Sequence, residues 1–106
     1  MKFGLKEDTI KRIKAVFATF DAIEEVILYG SRAKGNYKNG SDIDLTMKGD
    51  ALNLDIISGV YLHLDDLLLP YMFDLSIYSQ IRNPDLVEHI NRVGITFYQK
   101  VKTHRL

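Results

Sequence analysis

The chain has 106 residues, with 14 Lys and Arg against 14 Asp and Glu, and it contains no cysteine. This length allows one domain with one hydrophobic core. The balanced charge argues against nucleic-acid binding through bulk positive charge. The lack of cysteine excludes disulfides, thiolate metal sites and a cysteine nucleophile. The apolar runs are too short to span a bilayer, and residues 1–4 lack the apolar core of a signal peptide. We therefore expect a cytoplasmic protein without membrane contact.

The apolar pattern predicts helices and strands that alternate along the chain. Helical periodicity covers residues 6–20 and 53–69, and Pro70 should stop the second of these helices. A third helix should open at Asn83, with proline at its first position, and run to residue 93, where Gly94 caps it. A one-turn helix is expected at residues 31–34, after a strand-ending glycine. Apolar, β-branched runs predict strands at residues 26–29, 42–48, 73–78 and 95–98.

This alternation predicts an α/β (α+β) fold with a small, mixed, twisted β-sheet. The helices should pack mainly on one face of that sheet. The whole chain, residues 1–106, is expected to be a single domain. Residues 98–106 are expected to be a flexible basic tail.

Two aspartates two residues apart, Asp42 and Asp44, open the second predicted strand. Residues two apart in a strand point to the same face, so their Cα atoms should lie roughly 7 Å apart with the carboxylates side by side. Such a pair repels unless a cation joins it, and Mg²⁺ prefers oxygen ligands. Asp74 in the third predicted strand would complete a site for two metal ions about 4 Å apart. The alternative places Asp42 in a loop and Asp44 on a solvent-facing edge strand.

A glycine followed by a serine ends the first predicted strand. Gly30 allows the backbone to approach an anion closely, and a helix N-terminus presents free N–H groups to phosphate. The Ser31 hydroxyl can add a hydrogen bond, and Arg32 and Lys34 follow closely enough to offset triphosphate charge. For these two cations an exposed helix face is the alternative. No Gly-Lys-Ser/Thr follows, so the segment is not a P-loop.

The combined pattern resembles the DNA polymerase β-type nucleotidyltransferase superfamily and, more narrowly, the minimal nucleotidyltransferase (MNT) proteins. The resemblance rests on Gly-Ser, ten intervening residues, Asp-x-Asp, and a lone aspartate in a later strand. It extends over nearly the whole chain. The matching segments are residues 30–35, 41–45, 73–75 and 94–98.

The resemblance implies a polymerase β-like core that transfers a nucleoside monophosphate, usually AMP from ATP, to a hydroxyl. It implies that Asp42, Asp44 and Asp74 are catalytic and bind Mg²⁺, expected as two ions, with Asp74 also assisting the attacking hydroxyl. It further implies a set of residues that hold the nucleotide: Gly30, Ser31, Arg32, Lys34 and Ser41.

The size of the chain suggests a partner. Larger members of the superfamily carry an extra helical domain that helps to hold the acceptor, and this chain has almost nothing beyond the core. MNT proteins commonly pair with a helical HEPN ribonuclease toxin and act as its antitoxin, in some cases by attaching AMP to a toxin tyrosine. The resemblance therefore implies a hetero-oligomeric toxin–antitoxin pair that works by AMPylation. The alternatives are transfer to a small molecule, as in antibiotic-modifying relatives, and a non-catalytic antitoxin that acts by contact.

Other polar residues are interpreted as surface. Asp65 and Asp66 are adjacent on a predicted helix and point in different directions. The histidines at positions 63, 89 and 104 show no metal-ligand spacing.

Overall fold

The computed structural model describes residues 1–101 of the chain. Within this range, helices and strands alternate, and a 3-10 turn at Tyr78–Gln80 follows the third strand. The elements are α1 (Glu7–Thr19), β1 (Glu25–Tyr29), α2 (Ser31–Lys34), β2 (Ile43–Lys48), α3 (Leu54–Asp65), β3 (Phe73–Ile77), α4 (Pro84–Val93) and β4 (Ile95–Gln99). None of these helices is both long enough and apolar enough to cross a membrane.

The strands form one mixed sheet in the order β3-β2-β1-β4. β1 pairs antiparallel with β2 and β4, whereas β2 and β3 are parallel. The parallel pair is joined through α3, because parallel neighbours need a long crossover connection. The predicted small mixed sheet and the α+β class are confirmed.

One face of the sheet packs against α1 and α3 and forms the hydrophobic core. Side chains at alternate positions of the strands point into it, as the period of two requires. Phe17 of α1 is fully buried there, and its ring meets that of Phe97 edge-on with centroids 6.2 Å apart. The core residues of α1 recur at helical spacing: Ile10, Ile13, Val16 and Phe17.

The opposite face carries the other alternate positions of the strands, and the end of α4 contacts β1 there. Gly94 follows α4 and donates its N–H to the Ile90 carbonyl over 2.8 Å. A Cβ at Gly94 would clash with that carbonyl oxygen and would lie 2.7 Å from Cγ2 of Ile27 in β1. The glycine thus allows the end of α4 to approach the sheet closely, and α4 is held beside this second face.

Two predicted boundaries are wrong. α3 ends at Asp65 and does not continue to residue 69. Leu67 and Leu69 both pack against the core cluster, and alternate residues cannot share one face of a helix, so the chain leaves the helix before them. The predicted tail also begins too early, because Tyr98 and Gln99 belong to β4. Residues 102–106 of that tail lie outside the described residues.

Candidate active site

A row of polar side chains crosses the sheet on the face opposite the core. Tyr29 of β1 is paired with Asp44 of β2, and Asp44 is paired with Asp74 of β3. Neighbouring strands lie about 4.8 Å apart, so the two carboxylates are direct neighbours. Asp42 precedes β2 and is exposed. The register thus places Asp44 and Asp74 in one row, which we call the carboxylate row, with Asp42 beside it.

The carboxylate row is electrostatically unfavourable by itself. Burial raises the pKa of the Asp44 carboxyl above its usual value, the charges of Asp74 and then Asp42 raise it further, and His89 acts in the opposite direction. The two ion pairs found within residues 1–101 join Arg92 to Glu88 and Lys100 to Asp21, away from this row. Repelling carboxylates that form no ion pair are an arrangement that a bound cation relieves.

The donor set fits Mg²⁺, although not as three converging carboxylates. Within the described residues no three His, Cys, Asp or Glu side chains stand close enough to hold a metal ion together. The expected three-carboxylate set is therefore not assembled, because Asp42 lies outside β2 in the preceding loop. Mg²⁺ usually takes one or two protein carboxylates and completes its octahedron with waters and substrate phosphates. Asp44 and Asp74 supply that number.

Hydroxyl groups lie two register pairs further along the same strands, on the same face of the sheet. Ser76 Oγ donates to Thr46 Oγ1 at 2.9 Å, and Thr46 is fully buried. Burial raises the pKa of the Tyr29 hydroxyl, Ser76 acts against this, and the charges of Asp74 and Asp44 raise it further. Tyr29 therefore remains protonated at neutral pH and is available as a hydrogen-bond donor at the end of the carboxylate row.

Gly30 connects the carboxylate row to α2. Its φ is +74°, a conformation that costs little only for glycine. A Cβ at this position would clash with Oδ2 of Asp44. Ser31 follows as the first residue of α2, and its carbonyl accepts the N–H groups of Gly35 and Asn36 at 2.9 and 3.2 Å. The expected phosphate-binding turn therefore lies against the Asp44 carboxylate.

Arg32 occupies a different place from the one expected of a phosphate ligand. Its side chain is 3 % exposed. Nε and Nη2 donate to the Ser41 carbonyl at 3.1 and 2.8 Å, and Nη1 donates to the Phe3 carbonyl at 2.8 Å. The guanidinium also lies over the rings of Tyr37 and Tyr71, at 5.4 and 5.0 Å from their centroids. Arg32 thus holds the loop before Asp42 to the N-terminal turn, and its guanidinium is already bonded to these two carbonyls.

The other two predicted nucleotide ligands differ in their availability. Ser41 accepts the N–H of Lys38 at its Oγ over 2.8 Å, in addition to the Arg32 bonds at its carbonyl. Its polar atoms therefore shape the loop. Lys34 is exposed at the end of α2, so its ammonium is free to move toward an anion at the turn.

His89 reaches the site, although the sequence pattern indicated a surface residue. The Gly30 N–H donates to its Nε2 over 3.3 Å, and its ring meets that of Tyr29 edge-on with centroids 6.2 Å apart. The histidine lies on α4, next to the buried Ile90. That position on the flank of the apolar face was the only signal in the sequence, because the approach of α4 to β1 is a tertiary feature.

Comparisons with known proteins identify the family and the fold of the chain. The sequence matches the family described as polymerase beta, nucleotidyltransferase, over residues 11–103. No curated protein matches it in sequence.

Solved structures with the same fold include several toxin–antitoxin complexes. One contains AMP-PNP; it has a TM-score of 0.66 and 20 % identity, and the match covers 91 % of this chain and 75 % of the other. A second, of tri-AMPylated Shewanella oneidensis HEPN toxin with MNT antitoxin, has a TM-score of 0.66 and 15 % identity, with 91 % and 74 % covered. A third is a mutant of the toxin–antitoxin MntA–HpeT, with a TM-score of 0.63, 16 % identity, and 91 % and 75 % covered.

These likenesses establish the fold, and the sequence match extends over most of the chain. The carboxylate row and the glycine turn lie within the matched residues. The chain belongs to the polymerase beta nucleotidyltransferase family.

Proposed function

We propose that this protein transfers AMP from ATP to a hydroxyl of a partner protein, and that the partner is a HEPN-type toxin which it neutralises as an antitoxin. The observation that carries the proposal is the pairing of Asp44 with Asp74 directly against the Gly30 turn. Family membership supports nucleotidyl transfer. Two neighbours support AMP and a toxin partner: one complex contains AMP-PNP, and another contains a tri-AMPylated HEPN toxin with an MNT antitoxin.

Asp44 and Asp74 would hold Mg²⁺, and Asp42 would assist them once the nucleotide is bound. Two Mg²⁺ ions bound there would neutralise charge on the triphosphate and on the departing pyrophosphate. The phosphates of the nucleotide would bind at the Gly30 turn. Lys34 is exposed near this turn and is the cation best placed to follow the phosphate charge.

The transfer itself is a substitution at phosphorus. The acceptor oxygen forms a bond to the α-phosphorus, the bond from that phosphorus to the oxygen bridging to the β-phosphate breaks, and pyrophosphate leaves. The hydroxyl proton passes to a carboxylate of the row. We assign this role to Asp74, because it is exposed and lies on the edge strand β3, where a partner protein can reach it.

The substrates suggest where the protein acts and how it assembles. We place the pair in the cytoplasm, where ATP is available, and we expect a hetero-oligomer because the open face of the sheet does not enclose an acceptor. Asp42 and Asp74 are exposed, so an incoming protein can reach them.

Intact mass spectrometry of a HEPN-type toxin co-produced with this protein tests the proposal. The toxin should gain the mass of one or more AMP units with the unaltered chain. It should gain none with an Asp42→Asn/Asp44→Asn double variant, because this variant removes one metal-binding carboxylate and the carboxylate that assists it. Asp65→Asn/Asp66→Asn is the matched control, since it neutralises an equally acidic pair at the end of α3 and should leave the added mass unchanged.

Two results would contradict the proposal. An unmodified toxin in a stable complex with both the unaltered and the Asp42→Asn/Asp44→Asn chains would favour an antitoxin that acts by contact. An unmodified toxin together with transfer of AMP to a small hydroxylated compound would favour the small-molecule enzyme.

A further inference from the structure

His89 stands at the point where the expected phosphate-binding turn offers its first N–H group. α4 begins with a local cap, in which the Asn83 side chain accepts the N–H of Asp85 at 2.9 Å, and its end at Gly94 is packed against β1. Asn91 on the same helix accepts the Tyr78 hydroxyl at 2.7 Å. The contacts of α4 with Tyr78 and β1 therefore hold the imidazole of His89 beside the turn.

The geometry makes His89 and any phosphate at this turn immediate neighbours. The Gly30 N–H points at Nε2 over 3.3 Å, a long hydrogen bond and therefore a weak one. An anion oxygen that accepts this N–H must lie about 2.9 Å from the Gly30 nitrogen. It then occupies the position that Nε2 now holds, and the ring has to move aside by about the width of one oxygen atom.

The negative charge of a triphosphate at the turn indicates a role for His89. A triphosphate brings several negative charges next to Asp44 and Asp74. Arg32, the cation expected to offset them, has its guanidinium bound to the carbonyls of Ser41 and Phe3. Lys34 is exposed and reaches the turn only from solvent. The contact at Gly30 therefore places the His89 ring beside an arriving phosphate.

We propose that His89 is a nucleotide-contacting residue, an inference that rests on the proposed function. In the free protein Nε2 accepts the Gly30 N–H and keeps the turn in its binding conformation. In the nucleotide complex a phosphate oxygen accepts that N–H instead, and the imidazole, with its proton on Nε2, donates to the same phosphate. Tyr29, against which the ring packs edge-on, limits how far the ring can swing away.

Binding of the non-hydrolysable analogue AMP-PNP in the presence of Mg²⁺, measured by titration calorimetry on the full chain, tests this role. His89→Ala should raise the Kd about tenfold, the loss typical of one hydrogen bond to a charged group. His89→Gln should restore most of the affinity, because its amide can donate from nearly the same position. His63→Ala is the matched control, since His63 also packs edge-on to an aromatic ring, that of Phe20, but lies on α3.

The outcomes separate this inference from the proposed function. No binding by the unaltered chain overturns the proposed function and, with it, the role of His89. Binding by the unaltered chain that is equally strong in His89→Ala overturns the role of His89 alone, and so does tighter binding, because the ring would then be a competitor of the phosphate. If His89→Ala fails to fold, His89→Gln and His89→Asn decide: restoration by Gln but not by Asn supports the contact, and equal affinity of both overturns it.

Discussion

The two faces of the sheet differ in the environment of their side chains: one face is apolar and buried, and the other carries neighbouring carboxylates. On the core face, the strand residues and those of α1 and α3 exclude water completely at many positions, including Val26, Leu28 and Phe17 at 0 % exposure. On the other face, one strand position away, Asp44 lies against Asp74 with burial and repulsion both raising its pKa. The same alternation of side chains produces both faces.

The comparison shows which face stabilises the fold and which face carries the candidate site. Burial of apolar side chains contributes roughly 1.5–3 kcal/mol each, so the core face supplies most of the favourable free energy. The carboxylate row subtracts from it, since neighbouring charges cost free energy without a partner. A protein keeps such a cost where a ligand later removes it, as at a metal and phosphate site.

The largest expected effect comes from breaking the core face. Phe17→Ala should lower the free energy of unfolding by about 3–5 kcal/mol, because it removes a fully buried ring that contacts Phe97 and Tyr98 and leaves a cavity. Urea denaturation followed by circular dichroism measures this change. Phe20→Ala is the control, since Phe20 lies at the end of the same helix and is partly exposed. A loss no larger than that of the control would mean that the core is not centred on Phe17.

The next effect comes from Arg32, which joins the loop before Asp42 to the N-terminal turn. Arg32→Lys should lower the free energy of unfolding by about 1–3 kcal/mol, because lysine cannot reproduce the fork that holds Ser41 and Phe3. AMP transfer should fall with it, since the loop before Asp42 loses its anchor. Thermal denaturation and a transfer assay on the same samples measure both.

Lys34→Ala, two residues away and exposed, is the matched control for stability and should leave the melting temperature unchanged. If Arg32→Lys reduced AMP transfer while the melting temperature stayed the same, Arg32 would be a direct phosphate ligand after all. The two readouts therefore distinguish the buried anchor in the structure from the phosphate contact that the sequence suggested.

Much of the fold was predictable, because its signals are local. Periodic apolar residues in α1, the Asn-Pro-Asp opening of α4 and the strand-ending Gly30 each depend on a few neighbours in sequence. The end of α3 was not predictable in this way. Leu67 and Leu69 continue an apolar run, and only their packing into the core, together with the bond from Arg12 to the Leu67 carbonyl, shows that the helix has already ended.

The residues of the candidate site also differ in whether local sequence was enough to predict their roles. Asp44 and Asp74 could be proposed as partners because each lies in its own strand pattern, and the register then placed them side by side. Arg32 could not be assigned, because its carbonyl partners are Phe3 and Ser41, which lie in different loops. His89 could not be assigned either, since it approaches Gly30 across 59 positions of sequence.

The smallest expected effect concerns the cost of the carboxylate row itself. The folded protein raises the pKa of Asp44 above its ordinary value of 3.8, chiefly through burial and then through Asp74 and Asp42. A raised pKa means that the protonated form favours folding. The contribution to stability is present below pH 3.8 and is lost as the pH rises through the elevated pKa of the folded state. At neutral pH, without divalent metal, Asp44→Asn should therefore be more stable than the unaltered chain.

The gain should stay below about 1 kcal/mol, because solvent screens a half-exposed carboxylate, and it corresponds to at most about 4–8 °C in melting temperature. Thermal melts in EDTA between pH 3.5 and about 7.5 should show the advantage of Asp44→Asn growing with pH through the range in which carboxyl groups ionise. Asp50→Asn, just beyond the far end of β2, should show no such trend.

Added Mg²⁺ and AMP-PNP should raise the melting temperature of the unaltered chain and not that of Asp44→Asn, because ligand binding stabilises only the form that binds. An advantage of Asp44→Asn that did not depend on pH would mean that the repulsion within the carboxylate row is not its cause.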